Sequence, residues 1–317
     1  MPAPAVAPAP AGFAPRRATP HPNPGAWYPP VRLHRQPTPP AGVTYAVTSY
    51  WEERFGDRTR RDGLAHTLTV HAQAEATGWG VRCDATPPRS LRPDLSALEQ
   101  VLEKLAGLYQ RLVLGLTPDG RPVALRNHAQ VLATWQGLKQ ELTERSGGAD
   151  AVTQLLLTDL EALLHQPGPL LTSLRYNYLY ATLFANCYAQ PYESGVRYEQ
   201  PRHFARFFAE ADLWLAERLT VAAPPAPGRV ALCCAGGLDE ARTDRAQLAR
   251  SIDAAWAAAD SATARPATDP AAVQAVYDAT YDVDAATGWP RTVELSVRCR
   301  AGREYYKEYF LRLTQVP

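Results

Sequence analysis

The chain has 317 residues, 46% of them hydrophobic, with 33 basic against 32 acidic side chains and a formal net charge of +1. That length supports one large domain or two modest ones. So balanced a charge supplies no global field for nucleic acid or an anionic membrane surface, and no run of eighteen apolar residues is present to span a bilayer.

The first forty residues hold 13 of the 29 prolines. A segment this poor in apolar side chains cannot offset the entropy of ordering, so residues 1–41 are expected to be an extended, mostly mobile arm. Trp27 and Tyr28 stand out within it, in "GAWYPPVRLHR". A stiff Pro-rich backbone with an aromatic anchor has the composition of a docking peptide. The alternative is that Trp27 folds back onto its own domain.

From residue 43 the pattern changes. Val43, Tyr45 and Val47 alternate with Thr44 and Thr48, which is strand periodicity. "RFGDRTRR" at 54–61 reads as a solvated loop. Leu64, His66, Leu68 and Val70 form a second strand face, and Trp79, Val81 and Cys83 a third. These three make an antiparallel meander. Helical spacing follows at Leu95, Leu98, Val101, Leu102 and Leu105, with Asp94 as the expected N-cap. "LVLGLTPDGRPVAL" is a hairpin, its turn carrying Pro and Gly where a type I turn takes them. Asn127 is expected to cap a helix striped with Val131, Leu132, Trp135, Leu138 and Leu142. A second helix covers 150–166, and a third begins after "PGP" and runs on into the tyrosines.

Residues 175–199 hold six of the chain's fifteen tyrosines. On one continuous helix Tyr176, Tyr180 and Tyr188 drift slowly around a single face. Tyr178 lies about 160° from Tyr176, on the leucine side. The ridge of Tyr176, Tyr180 and Tyr188 is either core with hydroxyls reaching the boundary or a surface for a partner or ligand. Beyond it, Phe204, Phe208, Ala211 and Leu215 fit a helix, with a strand after it. "RVALCCA" is a buried strand, "DEARTDRAQLARSIDAAW" an amphipathic helix, and 273–314 a closing three-stranded meander. Antiparallel sheet at both ends and helices between them predict an α+β fold: one domain over 42–317, an antiparallel sheet with the central helices packed on one face.

The chemistry-bearing residues are sparse. Phosphate-loop, dinucleotide-binding, nucleophile-elbow and zincin motifs are missing from the sequence. His66 and His71 fall on opposite faces of a strand, so they cannot share one ion. His66, flanked by Leu64 and Leu68, reads as a satisfied, half-buried histidine. Asp278, Asp282 and Asp284 share a strand face and could hold a divalent cation, or simply form its polar side. The odd number of cysteines, irregularly spaced, reads as reduced, buried thiols of a cytoplasmic protein, since no export signal is recognisable. The thirty arginines are scattered, which reads as compositional bias rather than phosphate recognition.

These features favour a non-catalytic interaction or structural protein, with a protein partner or self-association and with no nucleic acid, metal or cofactor. The alternative is a carrier for an apolar small molecule held in a sheet-and-helix cup lined by Val47, Leu68, Val81, Leu295 and Leu311. An enzyme using His66 or the Asp278–Asp284 strand ranks third.

Overall fold

The computed structural model describes residues 16–20, 30–145, 151–184, 191–193, 195–208, 211–222, 226–259 and 267–317. The elements run β1 (Arg16–Pro20), β2 (Val31–Arg32), β3 (Val43–Phe55), β4 (Arg58–Glu75), β5 (Gly78–Ala85), β6 (Arg89–Ser90), α1 (Ala97–Ala106), β7 (Arg111–Leu116), β8 (Pro122–Leu125), α2 (His128–Arg145), α3 (Ala151–Leu164), α4 (Pro167–Arg175) and α5 (Tyr178–Leu183). They continue with β9 (Pro191–Tyr192), β10 (Val196–Phe208), β11 (Ala211–Ala222), β12 (Arg229–Leu238), α6 (Arg245–Ala259), β13 (Val273–Asp284), β14 (Pro290–Ala301) and β15 (Tyr305–Gln315).

Thirteen strands form one antiparallel sheet in the order β1-β10-β11-β12-β13-β14-β15-β3-β4-β5-β7-β8, with β6 paired to β4. The ends do not meet, so the sheet is open rather than a closed barrel. The two terminal meanders are joined through β15 and β3, which pair from Gln315↔Tyr45 to Tyr305↔Phe55. The helices pack on one face, as the fold class expected from sequence requires.

The alternation of the strands explains why only one face is buried. One cross-strand row runs Leu219, Cys234, Ala279, Leu295, Leu311, Ser49, Leu64 across seven strands. Its first five members are buried. The neighbouring row on the other face reads Cys233, Thr280, Glu294, Arg312, Thr48, Ala65, which is mostly polar. Each fully buried Leu of the first row contributes roughly 1.5–3 kcal/mol of transfer free energy. A one-residue slip would turn the whole set to water.

Several local expectations are corrected. "RFGDRTRR" is not a loop: β3 runs to Phe55, β4 starts at Arg58, and only Gly56 and Asp57 turn the chain, Gly56 at φ 56°. The helix expected from residue 203 is a hairpin. Phe204 pairs with Leu213 and Phe208 with Ala211, and the register shifts between these pairs. Arg206 sits in that irregularity at φ 52°. Phe204 and Phe208 are both buried, and a spacing of four residues fits one face of a strand as well as one turn of a helix. The expected Asp94 cap is Ser96, which with Glu99 forms a capping box at the start of α1. Asn127 does not cap α2 with its side chain. Its Oδ1 accepts from the Val113 N–H at 2.8 Å and its Nδ2 donates to the Arg111 carbonyl at 3.0 Å, tying the helix entry to β7.

Two described pieces of the Pro-rich arm lie against the rest of the chain. β1 pairs along β10 and β2 along β9. Leu33 is 1% exposed, and the Trp289 indole N–H donates to the Gln36 carbonyl at 2.9 Å. Gly288, at φ 71°, lies so close to the His34 carbonyl that a Cβ would collide with it.

Candidate functional site

The buried row of the sheet ends where it reaches Ser49 and Leu64. There the packing stops and a cleft of about 230 Å³ opens between the sheet and α1. β3 supplies Ser49 and Trp51, β4 supplies Asp62, Gly63 and Leu64, and β6 supplies Ser90. The opposite wall is α1 and its approach: Leu95, Glu99, Leu102, Glu103 and Ala106. Leu64, Leu91 and Leu102 are 37, 53 and 46% exposed in this part of the molecule. Gly63 permits the close approach of Leu91, since a Cβ would lie 2.7 Å from its Cδ1.

Three larger depressions occur elsewhere. One is lined largely by polar groups such as Asp84, Gln110, Arg111 and Gln130. A second runs under the prolines at 37–40 against His71, Arg82 and Arg126. The third spans Asp278, Thr280, Glu294 and Ser296, with Phe310 at its margin. None combines an aromatic floor with exposed leucines.

The floor of the cleft is held rigidly. Trp51 packs on Tyr309 at 4.7 Å, Phe207 at 5.4 Å and Tyr178 at 5.7 Å between ring centroids. The Lys307 ammonium lies 5.4 Å from the Trp51 ring and 3.3 Å from a Glu53 carboxylate oxygen. The Tyr305 hydroxyl donates to the same Glu53 oxygen at 2.6 Å. Burial, together with Glu53, holds the Tyr305 phenol far above its ordinary range. At the mouth, Arg92 bridges Asp62 at 2.6 Å and Glu99 at 2.9 Å, and Arg60 bonds Asp62 at 2.7 Å. These charges link β4 to the first turn of α1.

Glu99 is held below the usual carboxylate range, first by the Ser96 N–H and hydroxyl and then by Arg92. Glu103 accepts the Ser90 N–H at 2.9 Å, and among the described residues no cation lies within ion-pair distance of it. His66 follows Leu64 on the same strand face. It is half-buried, its Nδ1 has no hydrogen-bond partner, and burial lowers its pKa.

Tyr176 and Tyr180 do not share one helix. α4 stops at Arg175, Tyr176 is its C-cap and Asn177 is extended. The Asn177 side chain accepts from the N–H groups of Leu179 at 3.1 Å and Tyr180 at 3.3 Å, starting α5 as a new helix. Tyr176 is half-buried and meets His203 edge-on at 4.8 Å. His203 stacks on Trp214 at 4.0 Å and bonds Asp212 at 2.8 Å. Asp212 also accepts the N–H of Arg206 at 2.8 Å, bracing the positive-φ residue, and the His203 bond holds its carboxyl below the usual range. Tyr180 is 5% exposed and lies parallel to Phe184 at 6.3 Å. Tyr178 donates to the Ala205 carbonyl at 2.7 Å and packs under the cleft floor. Trp27, Tyr28 and Tyr188 lie outside the described residues.

The remaining sequence candidates are accounted for individually. Asp278 pairs with Arg298, Asp282 with Arg229 at 2.7 Å, and Asp284 with Arg291 at 2.8 Å. Val47, Leu68, Val81, Leu295 and Leu311, expected to line an apolar cup, are packed core. Cys83, Cys234 and Cys299 are buried free thiols and Cys233 is half-buried. Burial pushes the Cys83 and Cys299 thiols up to about 12. No helix among the described residues is long and apolar enough to cross a membrane.

No family model and no curated protein matches the sequence. One solved structure, reported for lipid–protein interactions in lipovitellin, superposes with a TM-score of 0.42 at 8% identity. The match covers 87% of this chain and 25% of that one, so the chain spans about a quarter of its length. A likeness at this level carries no argument about what this chain binds.

Proposed function

We propose that the chain is a non-catalytic binding protein, and that its ligand is a small, largely apolar molecule held in the cleft between the sheet and α1. The observation that carries this reading is the break in the core row at Ser49 and Leu64. Everywhere else along that row an apolar side chain is buried against its neighbours. Here Leu64, Leu91 and Leu102 stay in contact with water beside a braced indole ring. Contiguous exposed apolar surface of this kind marks a site that something covers. At about 230 Å³ the cleft falls below the range of roughly 300–1,000 Å³ that takes drug-sized ligands, so the ligand is a compact one.

A partner-binding role draws on the Pro-rich arm with Trp27 and Tyr28 and on Tyr176, Tyr180 and Tyr188, of which only Tyr176 and Tyr180 lie among the described residues. With Tyr180 in the core and Tyr176 against His203, the cleft is the better supported site.

The test uses 2-phenylethanol, a compact neutral probe, with heteronuclear NMR. Shifts confined to Trp51, Leu64, Leu102 and their neighbours are expected. Leu102→Arg, at an exposed position, should abolish them and leave the melting temperature nearly unchanged. Probe shifts scattered over the surface, or undiminished in Leu102→Arg, would sink the reading.

A further inference from the structure

The charges around the cleft do not cancel, and the remainder names a ligand class. Arg60 and Arg92 are matched by Asp62 and Glu99 through contacts of 2.6–2.9 Å, with Arg60 also 3.7 Å from Glu99. Under the floor, Lys307 is matched by Glu53 at 3.3 Å. Among the described residues, Glu103 alone of these carboxylates has no cation. Among the described residues its one bond is from the Ser90 N–H at 2.9 Å, which engages Oε1 and leaves Oε2 without a partner there.

Glu103 projects from α1 one turn beyond Glu99 and next to Leu102 in sequence, and it lines the cleft opposite Trp51 and Leu64. A half-buried carboxylate facing an indole ring across an apolar gap suits a cation with an apolar body. The carboxylate accepts the ammonium hydrogens, and the aromatic face favours a nearby positive charge. An anionic ligand would face Glu103 with like charge. A neutral ligand without a donor would leave the carboxylate desolvated without compensation, and a neutral alcohol would offer it a hydrogen bond but no opposite charge.

We infer that the cleft selects small primary or secondary ammonium ions with an apolar body, and that Glu103 is the residue that recognises the ammonium group. The inference rests on the reading of the cleft as a binding site and adds its specificity. Glu103 is a positioning and recognition group. No bond is made or broken.

Three probes of nearly equal size separate the two ideas on the unmodified protein: 2-phenylethylammonium, 2-phenylethanol and 3-phenylpropionate. The ammonium ion should bind about tenfold tighter than the alcohol, because its donor carries a charge opposite to the carboxylate and the alcohol's does not, and the carboxylate weakest of the three. Glu103→Gln keeps a carbonyl oxygen for the Ser90 N–H, so the wall of the cleft is retained. It should cost the ammonium ion about tenfold and leave the alcohol within about twofold. Equal affinity for ammonium ion and alcohol, or equal losses for both in Glu103→Gln, overturns the ammonium specificity while the apolar site stands. Failure of all three probes to shift Trp51, Leu64 and Leu102 overturns both.

Discussion

Tyr178 and Tyr180 differ from Tyr176 in what they touch, although all three sit within five residues. Tyr178 contacts Trp51, Phe204 and Tyr309, and its hydroxyl is bonded to the Ala205 carbonyl. Tyr180 is buried beside Phe184. Removing either ring leaves a cavity, and such truncations cost about 3–5 kcal/mol. Tyr176 is half-buried at the end of a helix, with one edge contact to His203. The expected outcome by chemical denaturation is a loss of about 3 kcal/mol or more for Tyr178→Ala and Tyr180→Ala, and about 1 kcal/mol for Tyr176→Ala. A mild Tyr180→Ala would restore the exposed ridge. The sequence placed Tyr178 correctly in the core but put Tyr180 with Tyr176. It did so because helical spacing was carried across Asn177, whose side chain starts a new helix instead.

At the scale of elements, α1 decides whether the cleft exists, because it supplies one whole wall. Its start is fixed by the box in which the Ser96 hydroxyl accepts from the Glu99 N–H and the Glu99 carboxylate accepts from the Ser96 N–H. Ser96→Ala should cost about 1 kcal/mol and should weaken 2-phenylethanol binding, because a frayed first turn loosens Leu95, Glu99 and the Arg92 bridge. Thermal melting and the NMR titration together check it. Unchanged binding would mean that the Arg60–Asp62–Arg92 network holds the wall by itself. The S-A-L-E signal for this cap is legible in the sequence, and was masked by a plausible Asp94 two residues earlier. The β10–β11 hairpin was not legible, because the spacing of four between Phe204 and Phe208 fits a strand face and a helical turn equally, and only the pairing with Leu213 and Ala211 distinguishes the two.

At the scale of the molecule, β15 is the strand on which the two halves of the sheet depend. It pairs with β3 along its full length on one side and with β14 on the other. A fragment of residues 43–200 would leave β3 as a long unpaired edge and strip Leu311 and Leu313 from Val47 and Ser49. Exposed edges of that length aggregate. The fragment is therefore expected to be insoluble, and the full chain to unfold in one transition by calorimetry. A soluble, folded 43–200 fragment would show two separable domains.

Alternation, turn chemistry and helical stripes were enough to define from sequence the two meanders, the hairpin at residues 111–125 and the α+β class, since each is a local pattern with a fixed period. They also identified Val47, Leu68, Val81, Leu295 and Leu311 as inward-facing. What they could not tell was whether that inward face encloses space or is filled. Filling depends on which side chains arrive from α1, α6 and β10, elements far away in the chain. The same is true of the cleft: Trp51, Leu64, Leu102 and Glu103 carry no shared motif, and come together only because β3, β4 and α1 are brought side by side by long-range pairing. That the charge of Glu103 is left uncancelled is likewise a property of distances, which a linear sequence does not contain.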